Sequence, residues 1–147
     1  MKSKVNEIKI SYKGHPKSPV TIKSSVEISK LLYEHWDKNT IGLFESFKIV
    51  LLNNSNKIKG ICQLSIGGIS GTLVDIRILF AIVLKSLSVA IILAHNHPSG
   101  KLQPSELDRQ LTEKIKKAAE LLDIKILDHV ILAPNGEYYS FSDNGIL

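Results

Sequence analysis

Six consecutive apolar residues, 89–94, run directly into His95-Asn96-His97-Pro98-Ser99-Gly100. A short uninterrupted apolar run is the pattern of a strand buried on both faces, which requires helices covering both sides of its sheet. That run therefore places the chain in the α/β class before any other segment is read. Pro98 lacks a backbone N–H, and Pro98-Ser99-Gly100 turns the chain away. The two histidines stand at the carboxyl end of a central strand, where α/β sheets usually open a ligand crevice.

The flanking segments supply the remaining layers. Residues 5–12 alternate and predict a first strand, interrupted between Gly14 and Pro19. Ser24-Ser25-Val26-Glu27 reads as a capping box. It opens a helix with Ile28, Leu31, Leu32 and Trp36 on one face and a stop near Asn39 and Gly42. Residues 47–52 and 57–65 form a hairpin around Asn53-Asn54-Ser55-Asn56, with Ile58, Cys62 and Leu64 expected on one side. Gly67, Gly68 and Gly71 mark a loop where backbone can approach a neighbour closely. Asp75 caps a helix over residues 76–87, apolar around most of its circumference and expected to be buried. Ser105 caps a helix reaching about Leu122, with Leu107, Leu111, Ile115, Ala118 and Leu122 as its core stripe. Strands over 124–133 and 137–141 flank the hairpin turn Asn135-Gly136. The order is β–α–ββ–α–β–α–ββ, an α/β sandwich around a mixed sheet.

With 147 residues, 44% hydrophobic and 22% charged, the chain suits one globular core, and we read residues 24–147 as that domain. Residues 1–40 carry eight Lys against four Asp or Glu, so most of the +5 net charge lies in a basic N-terminal segment, residues 1–23 and just beyond. A basic edge is weak support for nucleic-acid contact and is more simply a solvated face. Cys62 is the single cysteine, which excludes an internal disulfide and any zinc site built on two thiolates. No stretch has the order of a signal peptide, and no apolar run approaches the ~20 residues of a membrane helix. The expectation is a cytoplasmic protein without membrane contact.

The chemistry-bearing residues gather around the central strand. His95 and His97 are two apart, so in extended backbone their imidazoles point the same way. Asp108 lies in the first turn of the helix capped by Ser105, which leaves the same loop and can fold back over both histidines. Two His and one carboxylate are a catalytic zinc ligand set with a fourth position for water, so one zinc ion per chain is expected. A base is then needed, and Glu45, set directly before an apolar strand where a charge is otherwise out of place, is the candidate. Ser105 is a helix cap that can also donate to an oxyanion. His129, next to Asp128, reads as a satisfied core or edge histidine in preference to a partner of the metal site. Ser99 shapes the loop, Trp36 is core, and Cys62 is inert.

The run His95-Asn96-His97-Pro98-Ser99-Gly100, followed by Pro104-Ser105 and Asp108, resembles the JAMM metalloprotease motif, His-x-His-Pro then Ser-x-x-Asp. More narrowly, residues 24–147 are similar to the JAB/MPN domain of RadC-like proteins, which are labelled DNA repair proteins. The resemblance implies a cytidine-deaminase-like three-layer sandwich. It also implies zinc on His95, His97 and Asp108, Glu45 as acid–base, and Ser105 as oxyanion donor. Full-length RadC-like proteins carry an N-terminal helix-hairpin-helix domain. Residues 1–23 are too few to form it, so its DNA binding is not carried over. The ubiquitin-cleaving relatives grip their substrate with long insertions, for which residues 108–127 leave no room.

The leading expectation is a peptidase or isopeptidase acting on a peptide or protein. The competing classes are a nucleic-acid-processing protein and a non-catalytic MPN scaffold. Phosphodiester cleavage commonly uses two metals and more carboxylates than this motif supplies, and scaffolds usually lack the ligands retained here. A zinc deaminase is excluded because it needs a Cys pair. Oligomeric state is not readable from the chain.

Overall fold

The computed structural model describes residues 4–9, 11, 13–14, 20–67 and 73–147. Its elements are α1 (Ser25–His35), β1 (Ser46–Leu52), β2 (Ile58–Ile66), α2 (Ile76–Lys85), β3 (Ala90–Asn96), α3 (Glu106–Leu121), β4 (Lys125–Leu132) and β5 (Tyr138–Ser140). The strands form one sheet in the order β2-β1-β3-β4-β5. β3 and β4 pair in parallel, and the other neighbours are antiparallel. The expected mixed sheet is present, and the central apolar run is its middle strand, buried at all seven positions.

Alternation along the strands divides the core into two layers. On one face Ile28, Leu32 and Trp36 pack on Val50, Leu52, Ile92, Ala94, Val130 and Leu132. On the other, Leu79, Phe80 and Val83 of α2 and Ile115 and Ala119 of α3 pack on Phe47, Ile49, Leu51, Ile91 and Leu93. The result is the three-layer sandwich, with α1 on one side of the sheet and α2 and α3 on the other. Each helix starts on the expected cap: Ser24, Asp75 and Ser105 accept from the backbone N–H of Glu27, Arg77 and Asp108.

Several expectations are corrected. Residues 4–9 and 11 form no strand; residues 10 and 12 of that segment lie outside the described residues, as do Gly68 and Gly71 of the glycine loop. α1 ends at His35, so Trp36 is the cap residue, although its side chain is buried as expected. Ile58 does not share a face with Cys62 and Leu64: it packs with the α1 layer, they with the α2–α3 layer. The cause is a register shift opposite Leu51/Leu52, where Lys59 is skipped and the side-chain alternation inverts. α2 is not buried all round, since Ile78 and Leu84 are about half exposed.

The stripe on α3 is rotated at its ends, although Leu111, Ile115 and Ala118 pack in the core as expected. Leu107 is 76% exposed and Leu122 44%, while Thr112, Ile115 and Ala119 are buried. Positions 108, 112, 115 and 119 form one helical face. The helix therefore turns Asp108, not Leu107, towards the sheet.

Candidate metal centre

The site is built on the carboxyl end of β3. The backbone N–H of His97 donates to Leu132 O at 2.9 Å, so the ladder with β4 runs one residue past the end of the strand. Extended geometry therefore persists through Asn96, and His95 and His97 share the face that α3 covers. Phe47 of β1 pairs with His95 in the antiparallel register. Extending that register by one pleat sets Glu45 beside His97, and the protonation of His97 responds to the Glu45 charge. Glu45 is half-buried, and its carbonyl accepts from Gly67 N at 2.7 Å.

Asn96 points to the opposite face and is wholly buried. Its Oδ1 accepts from Ser46 N at 2.7 Å, and its Nδ2 donates to Ile41 O at 2.8 Å and Phe44 O at 2.9 Å. One amide thus fastens the turn that carries Glu45 to the strand that carries both histidines.

α3 delivers the third group through a complete capping box. Ser105 Oγ accepts from Asp108 N at 3.0 Å, and Asp108 Oδ2 accepts from Ser105 N at 2.8 Å. That same Oδ2 lies 3.2 Å from His97 Nε2 and 3.4 Å from His95 Nε2, and the two Nε2 atoms are 2.9 Å apart. His95, His97 and Asp108 form a group that could hold a metal ion.

The ring nitrogens facing away from this point are engaged as well. His97 Nδ1 lies 2.6 Å from Lys101 O. A carbonyl only accepts, so Nδ1 bears the hydrogen and neutral His97 keeps its Nε2 lone pair for the site. His95 Nδ1 lies 2.8 Å from His129 Nε2, and His129 Nδ1 lies 2.6 Å from Thr112 Oγ1. Phe47 stacks on His95 and Phe141 on His129, which sets both ring planes from apolar sides.

The electrostatics are those of a cation site. Burial works against protonation of His97, but the Asp108 carboxylate, the Lys101 carbonyl and the Glu45 charge outweigh it, and its pKa is raised. Burial likewise works against ionisation of Asp108, but the His95 and His97 rings beside it and the Ser105 N–H hold its carboxyl far below the usual range. His129 is wholly buried, and burial first, then the neighbouring His95, lowers its pKa well below that of a free histidine.

The donor set fits zinc. Ligands about 2.0–2.1 Å from a tetrahedral centre stand roughly 3.3 Å from one another. The observed edges of 2.9, 3.2 and 3.4 Å bracket that value.

The structure brings His95, His97 and Asp108 together, sets Glu45 alongside, and gives Ser105 its capping role. His129 is buried and satisfied, as expected, but one of its partners is His95, so the role ranked second by sequence is the one its position supports. Sequence reading missed Asn96, Thr112 and the Lys101 carbonyl. A signal existed for two of them: Asn96 is polar in a strand buried on both faces, and Thr112 stands one turn after Asp108. Among the described residues no helix is long and apolar enough to cross a membrane.

Residues 22–146 match the RadC-like JAB domain. A UPF0758 protein of Flavobacterium johnsoniae is 54% identical over 102 residues, covering 69% of this chain and 44% of the relative. A UPF0758 protein of Porphyromonas gingivalis is 37% identical over 165 aligned positions, covering 99% of this chain and 73% of the relative. One from Clostridioides difficile is 41% identical over 103 residues, 70% of this chain and 43% of its own. The chain thus spans less than half the length of two of these three relatives. With the family's domain matched across residues 22–146, this chain belongs to the RadC-like JAB domain family.

Proposed function

We propose that this domain is a zinc-dependent hydrolase of peptide or isopeptide bonds. The observation that supports the reading best is the convergence of His95 Nε2, His97 Nε2 and Asp108 Oδ2 on one point, with the site's half-buried Glu45 beside it. A zinc ion held by those three atoms supplies the Lewis acidity that makes water nucleophilic near neutral pH.

The remaining chemistry belongs to the chain. Glu45 takes a proton from the attacking water as its oxygen bonds to the amide carbon. The same carboxyl then returns a proton to the departing nitrogen, so the C–N bond breaks to give a carboxylate and an amine. Ser105 lies at the helix start next to Asp108, where its hydroxyl hydrogen can be donated to the developing oxyanion while its oxygen accepts from Asp108 N in the cap. The Lys101 carbonyl and the capping box hold two ligands in place through contacts within the chain.

Two measurements test this. Chelator competition on the purified chain should give one zinc per chain, lost in an Asp108→Ala variant. The zinc-loaded chain should cleave members of a proteome-derived peptide library scored by mass spectrometry, and Glu45→Gln should abolish cleavage while retaining zinc. Cleavage by Glu45→Gln at the unmodified rate would remove Glu45 as the base, and zinc binding unaffected by Asp108→Ala would remove the metal site.

A further inference from the structure

A directed chain of hydrogen bonds leads away from the metal ligands and returns to them. Thr112 Oγ1 lies 2.7 Å from the backbone carbonyl of Asp108, one turn earlier on α3. A carbonyl has no hydrogen to give, so the single hydroxyl hydrogen of Thr112 points there. Thr112 Oγ1, 2.6 Å from His129 Nδ1, can then only accept, which puts the His129 hydrogen on Nδ1. Neutral His129 has a lone pair left on Nε2, 2.8 Å from His95 Nδ1. His95 must donate to it, and the last lone pair in the series, His95 Nε2, is left facing His97 Nε2 and Asp108 Oδ2. Each step follows from the one before because each group has one hydrogen and one direction left for it.

We infer that His129 and Thr112 are positioning residues for the metal centre, fixing the Nδ1–H tautomer and ring orientation of His95 through a circuit that begins at one ligand and closes on the main chain of another. The inference rests on the metal-site reading above. The circuit joins β3, β4 and α3, so it couples the position of His95 to the helix that presents Asp108. His97 needs no such relay, since Lys101 O fixes it directly. Among the described residues His95 Nδ1 meets no carbonyl or carboxylate, while its Nε2 faces His97 Nε2 and the Asp108 carboxylate, so the lone pair of His129 is what draws the hydrogen to Nδ1. The packing suits the role: His129 is 0% exposed, stacked on Phe141 at 4.4 Å and edge-on to Phe47 at 5.6 Å. Its place on this face depends on a register shift between β3 and β4. Ile91 pairs with Ile126 but Ile92 with Asp128, so Leu127 is skipped and His129 comes round to the α3 side.

The test combines a tautomer measurement with metal affinity. Two-bond ¹H–¹⁵N spectra of the metal-free chain, under mildly alkaline conditions, should show His95 and His129 both with hydrogen on Nδ1 and bare Nε2. Thr112→Val should weaken zinc binding by about 10–100-fold in chelator competition. Thr112→Ser, which keeps the hydroxyl, should restore it to within about threefold by the same reasoning. Hydrogen on Nε2 of either histidine overturns the proposal. So does a folded Thr112→Val chain that holds zinc as tightly as the unmodified one. If Thr112→Val does not fold, the spectra and the Thr112→Ser affinity decide. An unmodified chain that shows both Nδ1–H tautomers but binds no zinc would instead sink the metal-site reading, leaving the hydrogen-bond circuit standing without a metal to serve.

Discussion

Replacing Asn96 by alanine tests how Glu45 is held. The side chain is wholly buried and makes hydrogen bonds of 2.7, 2.8 and 2.9 Å to Ser46 N, Ile41 O and Phe44 O. Truncation strands one donor and two acceptors, each costing about 1–3 kcal/mol when left buried without a partner. A water entering the space of the lost amide can satisfy some of them, so the expected loss is about 3–5 kcal/mol, at the low end of the simple sum. For a chain of this size that corresponds to a fall of roughly 6–20 °C in melting temperature. Asn96→Asp should be at least as damaging, because it loses both Nδ2 donors and sets a charge against two carbonyls. Urea unfolding followed by circular dichroism gives the loss directly. In a variant that still folds, zinc affinity should stay within about threefold, since no ligand is touched, while turnover falls because the turn bearing Glu45 is loosened. A measured loss below about 1 kcal/mol would refute the view that this amide ties the turn to the central strand.

Two further outcomes follow from the same structure. Because His97 of the metal-free chain has a raised pKa, zinc must displace its proton, so apparent zinc affinity falls as pH drops. The fall should begin above pH 6.5 and approach about tenfold per pH unit once the proton is fully bound; chelator competition across pH 8 to 6, corrected for the chelator's own protonation, reads this, and a fall that begins only below about pH 6.5 would show that His97 is not the group displaced. The rotated stripe of α3 predicts that Ile115→Ala costs about 2–5 kcal/mol, whereas Leu107→Lys changes urea stability by no more than about 0.5 kcal/mol; equal losses would put Leu107 back in the core.

Much of the site was legible because its information is local. The spacing of His95 and His97 matters only if a strand runs through Asn96, and the apolar run before them announces that strand. Asp108 follows Ser105 at the spacing of a capping box, so one local pattern both starts the helix and points the ligand. The glutamate was harder. Its place before an apolar strand draws attention to it, but its company with His97, 52 residues further on, depends on the pairing of β1 with β3.

Residue order alone determined the α/β class, the caps of α1, α2 and α3, the buried central strand and the three ligand candidates, because periodicity, capping and i, i+2 geometry are short-range rules. Only tertiary structure decided which side chains meet across elements. Skipped residues at Lys59 and Leu127 invert the alternation of β2 and β4, sending Ile58 to one layer and His129 to the other. α3 turns Leu107 to solvent so that Asp108, Thr112 and Ile115 face the sheet. The physical reason is that a bulge or a helix rotation is set by packing between elements, and a one-residue change of phase reverses every face that a local pattern can assign.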